Sequence, residues 1–244
     1  MVKVFIDEMT RYEFKEIMDK IEIVIIPVGS TEQHGPHLPM RHDAASALFL
    51  ARRSAERLYP KVVVTPSVSI GISPHHMNWP GSLTLSPGTF INVIFDICKS
   101  LRRHDIEKVL ILNGHGGNRP GIRLAGFRIR DELGMKVSAL SYWELLEPGF
   151  VEEIVEEKRY PGHAGEFETS TAYIIHRELM REDLIPEAGE LISYLKFMIL
   201  NEEESSPGGV WHDPRLASPD KGERLLDALV DKLETYLKKF IDVD

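Results

Sequence analysis

The sequence has few of the features that mark secreted, membrane-spanning or nucleic-acid-binding proteins. Among its 244 residues there is a single cysteine, Cys98, so no internal disulfide can form. No apolar run reaches the roughly 20 residues that cross a bilayer, and the N-terminus lacks the basic and apolar segments of a signal peptide. The net charge is −9 and no block of Lys and Arg is present. These absences predict a cytoplasmic protein without membrane or nucleic-acid partners.

The glycine-rich segment NGHGGN, residues 113–118, is not a complete nucleotide-binding motif. A dinucleotide-binding fingerprint would need glycine at position 119, which is Arg119, and no Lys-Ser or Lys-Thr pair completes a P-loop. We interpret the glycines as a tight turn that positions His115 as a metal ligand. Arg119 and Arg123 follow this turn; they could bind a substrate phosphate or form a solvated helix face.

Short apolar runs alternate with amphipathic segments along most of the chain. Residues 21–28, 61–70, 108–117 and 135–146 have the β-branched, apolar character of buried strands. Helical spacing begins near residues 43, 87 and 118, and Gly134 is a natural helix stop. This alternation predicts an α/β fold with a mainly parallel sheet covered on both faces. We expect one domain, 1–244, with a surface insert around 201–222 that is a candidate lid or oligomer contact.

Two polar motifs follow the first and third predicted strands. The segment PVGSTEQHGPHLPMRHDAAS contains Glu32, His34 and Asp43, and NGHGGN contains His115. Because the carboxyl ends of parallel strands meet at one sheet edge, we expect these side chains to form one metal site. Carboxylates and imidazoles bind Zn, Mn and Fe, and a carboxylate can bridge two ions. Asp43 taken alone could equally be a helix N-cap.

Two further segments carry polar groups that could complete the site. In GHAGEFETS, the acid–base candidates are His163, Glu166 and Glu168, although acids also favour a helix N-terminus. The segment GISPHHMNWPG, a substrate-pocket candidate, could instead be a plain turn-rich loop. The side chains that we expect to bind substrate are Ser73, His76, Trp79 and Asn113. We expect His37 and His42 to play supporting roles.

With these motifs in hand, the sequence resembles the creatininase family, that is, creatinine amidohydrolase and its relatives. The matching stretches are GSTEQHGPHLPMRHD, PHHMNWPGSLTLSP, LNGHGGN and HAGEFETS, in the family's order and spacing. The resemblance extends from about residue 5 to 180. It implies a three-layer α/β/α sandwich, two divalent metal ions (Zn, Mn or Fe) per subunit, hydrolysis of a C–N amide bond, and a homo-oligomer that is often a hexamer.

The resemblance also assigns roles to individual residues. Glu32 and His115 would bind one metal ion, His34 the other, and Asp43 would bridge them. His163 would protonate the leaving nitrogen, with Glu168 as a nearby acid. Creatinine-hydrolysing members carry a glutamate ligand of the second metal at the position of Gly117; here we expect Glu166 to replace it.

The predicted function is hydrolysis of a non-peptide amide, formamide or cyclic amide by a metal-activated water. The NGHGGN form resembles the branch that includes formylamino-pyrimidine deformylases and peptide-trimming relatives, so a small formylamino-pyrimidine or related amide is the expected substrate. Creatinine itself and a peptide remain alternatives. More distant alternatives are a non-catalytic module that binds a nucleotide or sugar, and a phosphoesterase with the same ligand types.

Overall fold

The computed structural model describes residues 2–157, 160–188 and 201–243 and is built around a parallel four-stranded sheet. The strands are β1 (Ile23–Val28), β2 (Val62–Val64), β3 (Lys108–Asn113) and β4 (Lys136–Ser141), in the order β2-β1-β3-β4. The described α-helices are α1 (Arg11–Ile17), α2 (His42–Leu58), α3 (Pro87–Arg102), α4 (Arg119–Leu133), α5 (Pro148–Glu152), α6 (Glu166–Ile175), α7 (Glu202–Ser205) and α8 (Pro219–Ile241). In this part of the chain, no helix has both the length and the apolar character needed to cross a membrane.

The sheet lies between two helical layers, as the alternating pattern predicts. Every residue of β1 is buried, and successive side chains enter opposite cores. Ile23 and Ile25 pack with residues of α2, α6 and α8, whereas Val24 and Ile26 pack with residues of α3 and α4. Burying one such side chain contributes about 1.5–3 kcal/mol. The expected three-layer α/β/α sandwich is therefore present.

Two strands are shorter than their apolar runs. β2 ends at Val64 because Pro66, two residues later, has no N–H to donate to the neighbouring strand. β4 ends at Ser141, where Ser141 and Glu144 form a capping box that starts a 3₁₀ turn. The predicted stop of the third helix is confirmed, since Gly134 caps α4 with a φ of 65°.

The strand order creates a crevice at the carboxyl ends of β1 and β3. From β1 the chain passes to β2 on one side, and then returns to β3 and β4 on the other. Open parallel sheets bind ligands at such a reversal. Both polar motifs that follow β1 and β3 therefore begin at this crevice.

The first turn of α2 lies directly against the ends of both strands. A Cβ atom at Gly29 would lie 2.4 Å from the Cα of Ala44, and one at Gly114 would lie 2.1 Å from the carbonyl oxygen of Asp43. Only glycine permits this approach of two backbones. The two glycines thus place Asp43 at the crevice.

The segment around 201–222 is more than a surface insert. Ser206 and Val210 are buried, and the main-chain N–H of Trp211 donates a hydrogen bond to the carbonyl oxygen of His163 at 2.8 Å. The segment therefore packs against the loop before α6, beside the crevice.

A buried ion pair joins α6 to α8. Glu166 is fully buried, and its Oε1 contacts the Nζ of Lys221, while its Oε2 accepts main-chain hydrogen bonds from Glu156 and Glu157. The Lys221 side chain is 20% exposed. The pair fixes the start of one helix to the start of the other.

Replacing Glu166 by glutamine would leave Lys221 without its anion while keeping the side-chain volume. We expect Glu166→Gln to lower the free energy of unfolding by about 3 kcal/mol, because removing one partner leaves an uncompensated charge. Urea denaturation measures this loss. The control is Glu156→Gln, whose carboxylate lies 3.7 Å from the same Nζ but is 68% exposed; its loss should stay below about 1 kcal/mol. Equal losses for the two variants would contradict the assignment.

Candidate metal centre

The crevice contains a cavity of about 370 Å³ between the two polar motifs and the loop before α6. Three acids, four histidines, three aromatic residues and one arginine contribute to its walls, beside glycines and a proline. They are Glu32, Asp43, Glu168, His75, His76, His115, His163, Trp143, Tyr160, Trp211 and Arg119. Three predicted metal ligands, Glu32, Asp43 and His115, thus line the cavity with His163 and Glu168 from the predicted acid–base segment. His34 contacts Asp43 without lining the cavity, and Glu166 is an exception described below.

The first potential ligand group consists of Glu32, Asp43 and His115. The Nδ1 atom of His115 lies 2.9 Å from Oδ2 of Asp43 and 3.2 Å from Oε1 of Glu32, and all three side chains are buried. Among the described residues, Oε2 of Glu32 and Oδ2 of Asp43 accept no hydrogen bond of good geometry. Buried carboxylate oxygens left in this state are strongly destabilising unless a cation satisfies them. Two carboxylates and an imidazole fit a divalent transition metal.

The second potential ligand group consists of His34, His163 and Glu168. The Nε2 atom of His34 lies 2.9 Å from Oδ1 of Asp43 and 3.8 Å from Oε2 of Glu168. Asp43 therefore presents one oxygen to each group. This is the arrangement that a carboxylate bridging two ions requires.

His76 contributes to a third group. Its Nε2 atom lies 3.2 Å from Oε1 of Glu32, and His163 lies close enough to join both. We expected His76 to bind substrate, and the structure places it in the cavity wall beside the acids.

Hydrogen bonds to the main chain orient the two ligand histidines. His34 donates from Nδ1 to the carbonyl oxygen of Glu32 at 3.1 Å, and His115 donates from Nε2 to that of Ile72 at 3.1 Å. Each bond leaves the other ring nitrogen directed at the carboxylates. Such outer contacts fix the tautomer of a metal-binding histidine.

The buried acids strongly favour positive charge in the site. Burial alone lowers the pKa of His34, but Asp43 and Glu168 outweigh it and raise that pKa to about 10. The pKa of His115 is likewise raised well above its ordinary value, because Glu32 and Asp43 outweigh burial. Burial raises the pKa of Glu168 to about 8 despite the opposing effect of His34. The protonated rings of His34 and His115 thus provide the positive charge that balances the buried carboxylates.

His163 differs from His34 and His115 because its pKa is lowered instead of raised. Burial lowers its pKa well below the ordinary value, and the neighbouring His34 and His76 lower it further. Its Nε2 atom lies 2.9 Å from the main-chain oxygen of Gln33 and 2.8 Å from the side-chain Nε2 of the same residue. Gln33 was not among the predicted site residues, although its position between Glu32 and His34 was a usable signal.

The expectation that Glu166 replaces the ligand missing at Gly117 is wrong. The carboxylate of Glu166 is engaged by Lys221 and two main-chain amides, and Glu166 does not line the cavity. Helical residues two apart point about 200° from each other. Since Glu168 faces the cavity, Glu166 faces the opposite side of α6.

Three residues expected to bind substrate lie elsewhere. Ser73 is fully buried behind His115, with its Oγ 3.1 Å from Nε2 of that ring. Asn113 closes the turn around His115: its Nδ2 donates to the His115 carbonyl oxygen at 2.6 Å, and its Oδ1 accepts from the His115 N–H at 3.1 Å. Trp79 lines a neighbouring cavity of about 330 Å³ with Gln33 and Met40. None of the three therefore lines the cavity of about 370 Å³ that holds the candidate metal ligands.

His37 and His42 tie the first motif to α6. The Nε2 atom of His37 is hydrogen-bonded to Oγ1 of Thr169 at 2.8 Å, and Nδ1 of His42 is hydrogen-bonded to Nε2 of His176 at 3.2 Å. Neither ring lines the cavity. These contacts agree with the supporting roles that we expected.

Aromatic residues and one arginine complete the walls. Trp143 and Tyr160 line the cavity but were not among the predicted site residues, because aromatic residues next to apolar segments resemble core residues in a sequence. Arg119 lines the cavity, 59% exposed, and its guanidinium pairs with Glu144 at 2.8 Å. Arg123 lies instead beside the ring of Phe127.

Comparisons with protein families and with known proteins identify relatives of the chain. The family model described as creatininase, creatinine amidohydrolase, matches residues 7–237. The chain is 27% identical to the creatinine amidohydrolase of Pseudomonas putida, over 97% of this chain and 96% of the relative. It is 26% identical to the mycofactocin precursor peptide peptidase of Mycolicibacterium smegmatis, over 93% and 88%. It is also 26% identical to the 3-dehydro-scyllo-inosose hydrolase of Thermotoga maritima, over 98% and 84%.

Solved structures share the same fold. A structure named "Creatininase Mn" is 25% identical, with a TM-score of 0.84 over 99% of this chain and 100% of that chain. A mutant creatininase complexed with creatine is 26% identical, with a TM-score of 0.83 over 98% of each chain. The predicted α/β class is thereby confirmed. Because the family model covers nearly the whole sequence, the chain belongs to the creatininase family of hydrolases.

Proposed function

We propose that the protein is a metal-dependent amidohydrolase that cleaves a non-peptide C–N bond in a small molecule. The observation that carries this proposal is the Asp43 carboxylate, which faces His115 with one oxygen and His34 with the other. Glu32, Asp43 and His115 would hold one divalent ion, and His34 with Asp43 would hold a second; Zn, Mn and Fe suit these donors. When bound, such ions supply a water of lowered pKa and polarise the substrate carbonyl.

His163 is the residue that we assign to proton transfer. As a neutral ring it can donate its Nε2 proton to the main-chain oxygen of Gln33, which leaves Nδ1 as the basic nitrogen. His163 would take a proton from the attacking water at Nδ1 and deliver it to the leaving nitrogen. The carbonyl oxygen of Gln33 would stabilise the charged ring between these two steps.

The size and the walls of the cavity favour a small, planar substrate. Its volume of about 370 Å³ lies near the lower end for small-molecule sites, and Trp143, Tyr160 and Trp211 offer flat apolar walls. A formylamino-pyrimidine or related amide fits this description, and Arg119 could bind an anionic substituent. Creatinine and a peptide remain the alternatives, since relatives are named for creatinine, a precursor peptide and an inosose.

We also propose that the chain forms one domain and acts as a cytoplasmic homo-oligomer, a hexamer by family resemblance. The apolar side chains of Leu124 and Phe127 on α4 are 57% and 46% exposed, and α4 packs beside the edge strand β4. Exposed apolar groups near an unpaired edge favour association. Light scattering in solution tests this, and the mass of a single chain would contradict it.

Elemental analysis combined with an amide panel tests the proposed function. We expect about two transition-metal ions per chain and chelator-sensitive hydrolysis of at least one formylamino-pyrimidine, lactam, creatinine or short peptide. The absence of both metal and chelator effects would favour a non-catalytic binding module. Cleavage of a generic phosphodiester without any amide hydrolysis would favour a phosphoesterase.

Replacing His163 by alanine should remove proton transfer while leaving the metal ions in place. We expect His163→Ala to lower kcat by about 10²–10⁴-fold, the usual contribution of general acid–base catalysis. Steady-state kinetics and metal content are measured together, with the exposed His104→Ala as control. Near-normal turnover would refute the role, and loss of a metal ion would show that His163 is a ligand instead.

Metal affinity should rise with pH. Without metal, His34 and His115 hold protons at neutral pH because their pKa values are raised. A metal ligand must be the neutral imidazole, so binding releases protons and the affinity should increase about tenfold per pH unit for each proton released. Calorimetric titrations between about pH 6 and pH 8, in buffers of different ionisation enthalpy, measure both quantities. A pH-independent affinity would contradict these assignments.

A further inference from the structure

The backbone around Gly117 has no room for a side chain. A Cβ atom there would lie 2.3 Å from the carbonyl oxygen of Ile72 and 2.5 Å from Nε2 of His115. It would also lie 3.0 Å from Cε1 of His75. The same carbonyl oxygen of Ile72 orients His115, so a carboxylate at position 117 would displace a ligand of the first ion. A carboxylate for a second metal ion would therefore have to come from another part of the chain.

Without such a carboxylate, the second ion would have His34 as its own ligand and would share Asp43. Two neighbouring buried acids are poorly placed to contribute. Glu166 is engaged by Lys221, and Oε2 of Glu157 accepts a hydrogen bond from the N–H of Phe167 at 3.3 Å. Neither residue lines the cavity.

Glu168 meets the requirements that these acids do not. It lines the cavity, is 4% exposed, and its Oε2 lies 3.8 Å from Nε2 of His34. Ligand atoms bound to a common ion at about 2.1 Å are separated by roughly 3–4 Å. The same oxygen accepts a 2.6 Å hydrogen bond from the N–H of Ala164, which fixes the carboxylate at the start of α6.

We propose that Glu168, in the first turn of α6, is a ligand of the second metal ion beside His34 and the shared Asp43. The inference rests on the proposed two-metal function. The proposal gives different roles to Glu168 and His163. Glu168 binds the ion, whereas Nε2 of His163 is hydrogen-bonded to the main-chain oxygen of Gln33, so the ring remains available to transfer a proton.

Metal titration of Glu168→Gln tests this inference. Glutamine keeps the size of the side chain and an acceptor for the Ala164 N–H, but it is a weak metal ligand. Wild type should bind about two Zn²⁺ or Mn²⁺ ions, whereas Glu168→Gln should retain one and bind the second more than tenfold more weakly, about the loss seen when metal-site partners are removed. Elemental analysis after dialysis and competition with a chromophoric chelator measure stoichiometry and affinity.

The matched control is Glu166→Gln, which alters an equally buried acid on the same helix. It should bind both ions with wild-type affinity even though it is less stable. If Glu168→Gln binds each ion as tightly as wild type does, the assignment of Glu168 is overturned and the two-metal function is left intact. No stoichiometric metal in wild type would instead overturn the proposed function itself.

A measurement on the unmodified protein guards against misfolding of the variant. Anomalous diffraction from crystals of the wild-type enzyme loaded with Zn²⁺ or Mn²⁺ locates each ion directly. We expect an ion in contact with His34, Asp43 and Glu168. An ion held by His34 and Asp43 with Glu168 out of contact would overturn the inference.

Discussion

The carboxylate of Asp43 is the group on which the site depends. Its two oxygens face two different sets of potential ligands, and it reaches this position because α2 begins directly against the ends of β1 and β3. That approach is possible only because Gly29 and Gly114 have no side chains. The sheet, the helix and the two glycines therefore act together to hold one anion at the centre of the crevice. Removing water from such an anion is unfavourable unless positive charge compensates for it.

The positive charge that compensates for the buried acids can come from protons or from metal ions, and both bind at the same ring nitrogens of the histidines. In the absence of metal, the acids raise the pKa values of His34 and His115, so these rings carry the positive charge. Metal ions would replace those protons, because both require the same ring nitrogens. His163 differs from His34 and His115, because burial and the neighbouring His34 and His76 lower its pKa; under the proposed function its neutral ring would be able to accept a proton.

Much of the fold and the centre of the site follow from local sequence, whereas side-chain direction does not. Buried strands are apolar runs, and polar residues directly after β1 and β3 must reach one sheet edge, which is why Glu32, His34, Asp43 and His115 could be predicted to meet. The choice between Glu166 and Glu168 depends on the rotational phase of α6, which its acid-rich sequence leaves open. Ser73 and Asn113 were misplaced for a similar reason, since only tertiary packing decides whether a polar side chain faces a cavity or supports a neighbour. Aromatic residues in the cavity wall, such as Trp143, have no polar sequence signal that distinguishes them from core residues.

The position in the chain that supplies the second carboxylate decides which elements of the fold would hold the site together. A ligand at position 117 would belong to the turn after β3, which already carries His115, and the sheet alone would position both. A ligand at Glu168 would belong to α6, so the proposed second ion would depend on the position of that helix beside the first motif. Two histidines of the first motif contact this part of the chain, His37 at Thr169 and His42 at His176. His37 and His42 therefore have a structural role: they hold α6 beside the first motif, at the separation of His34 and Glu168 that the proposed shared ion would need.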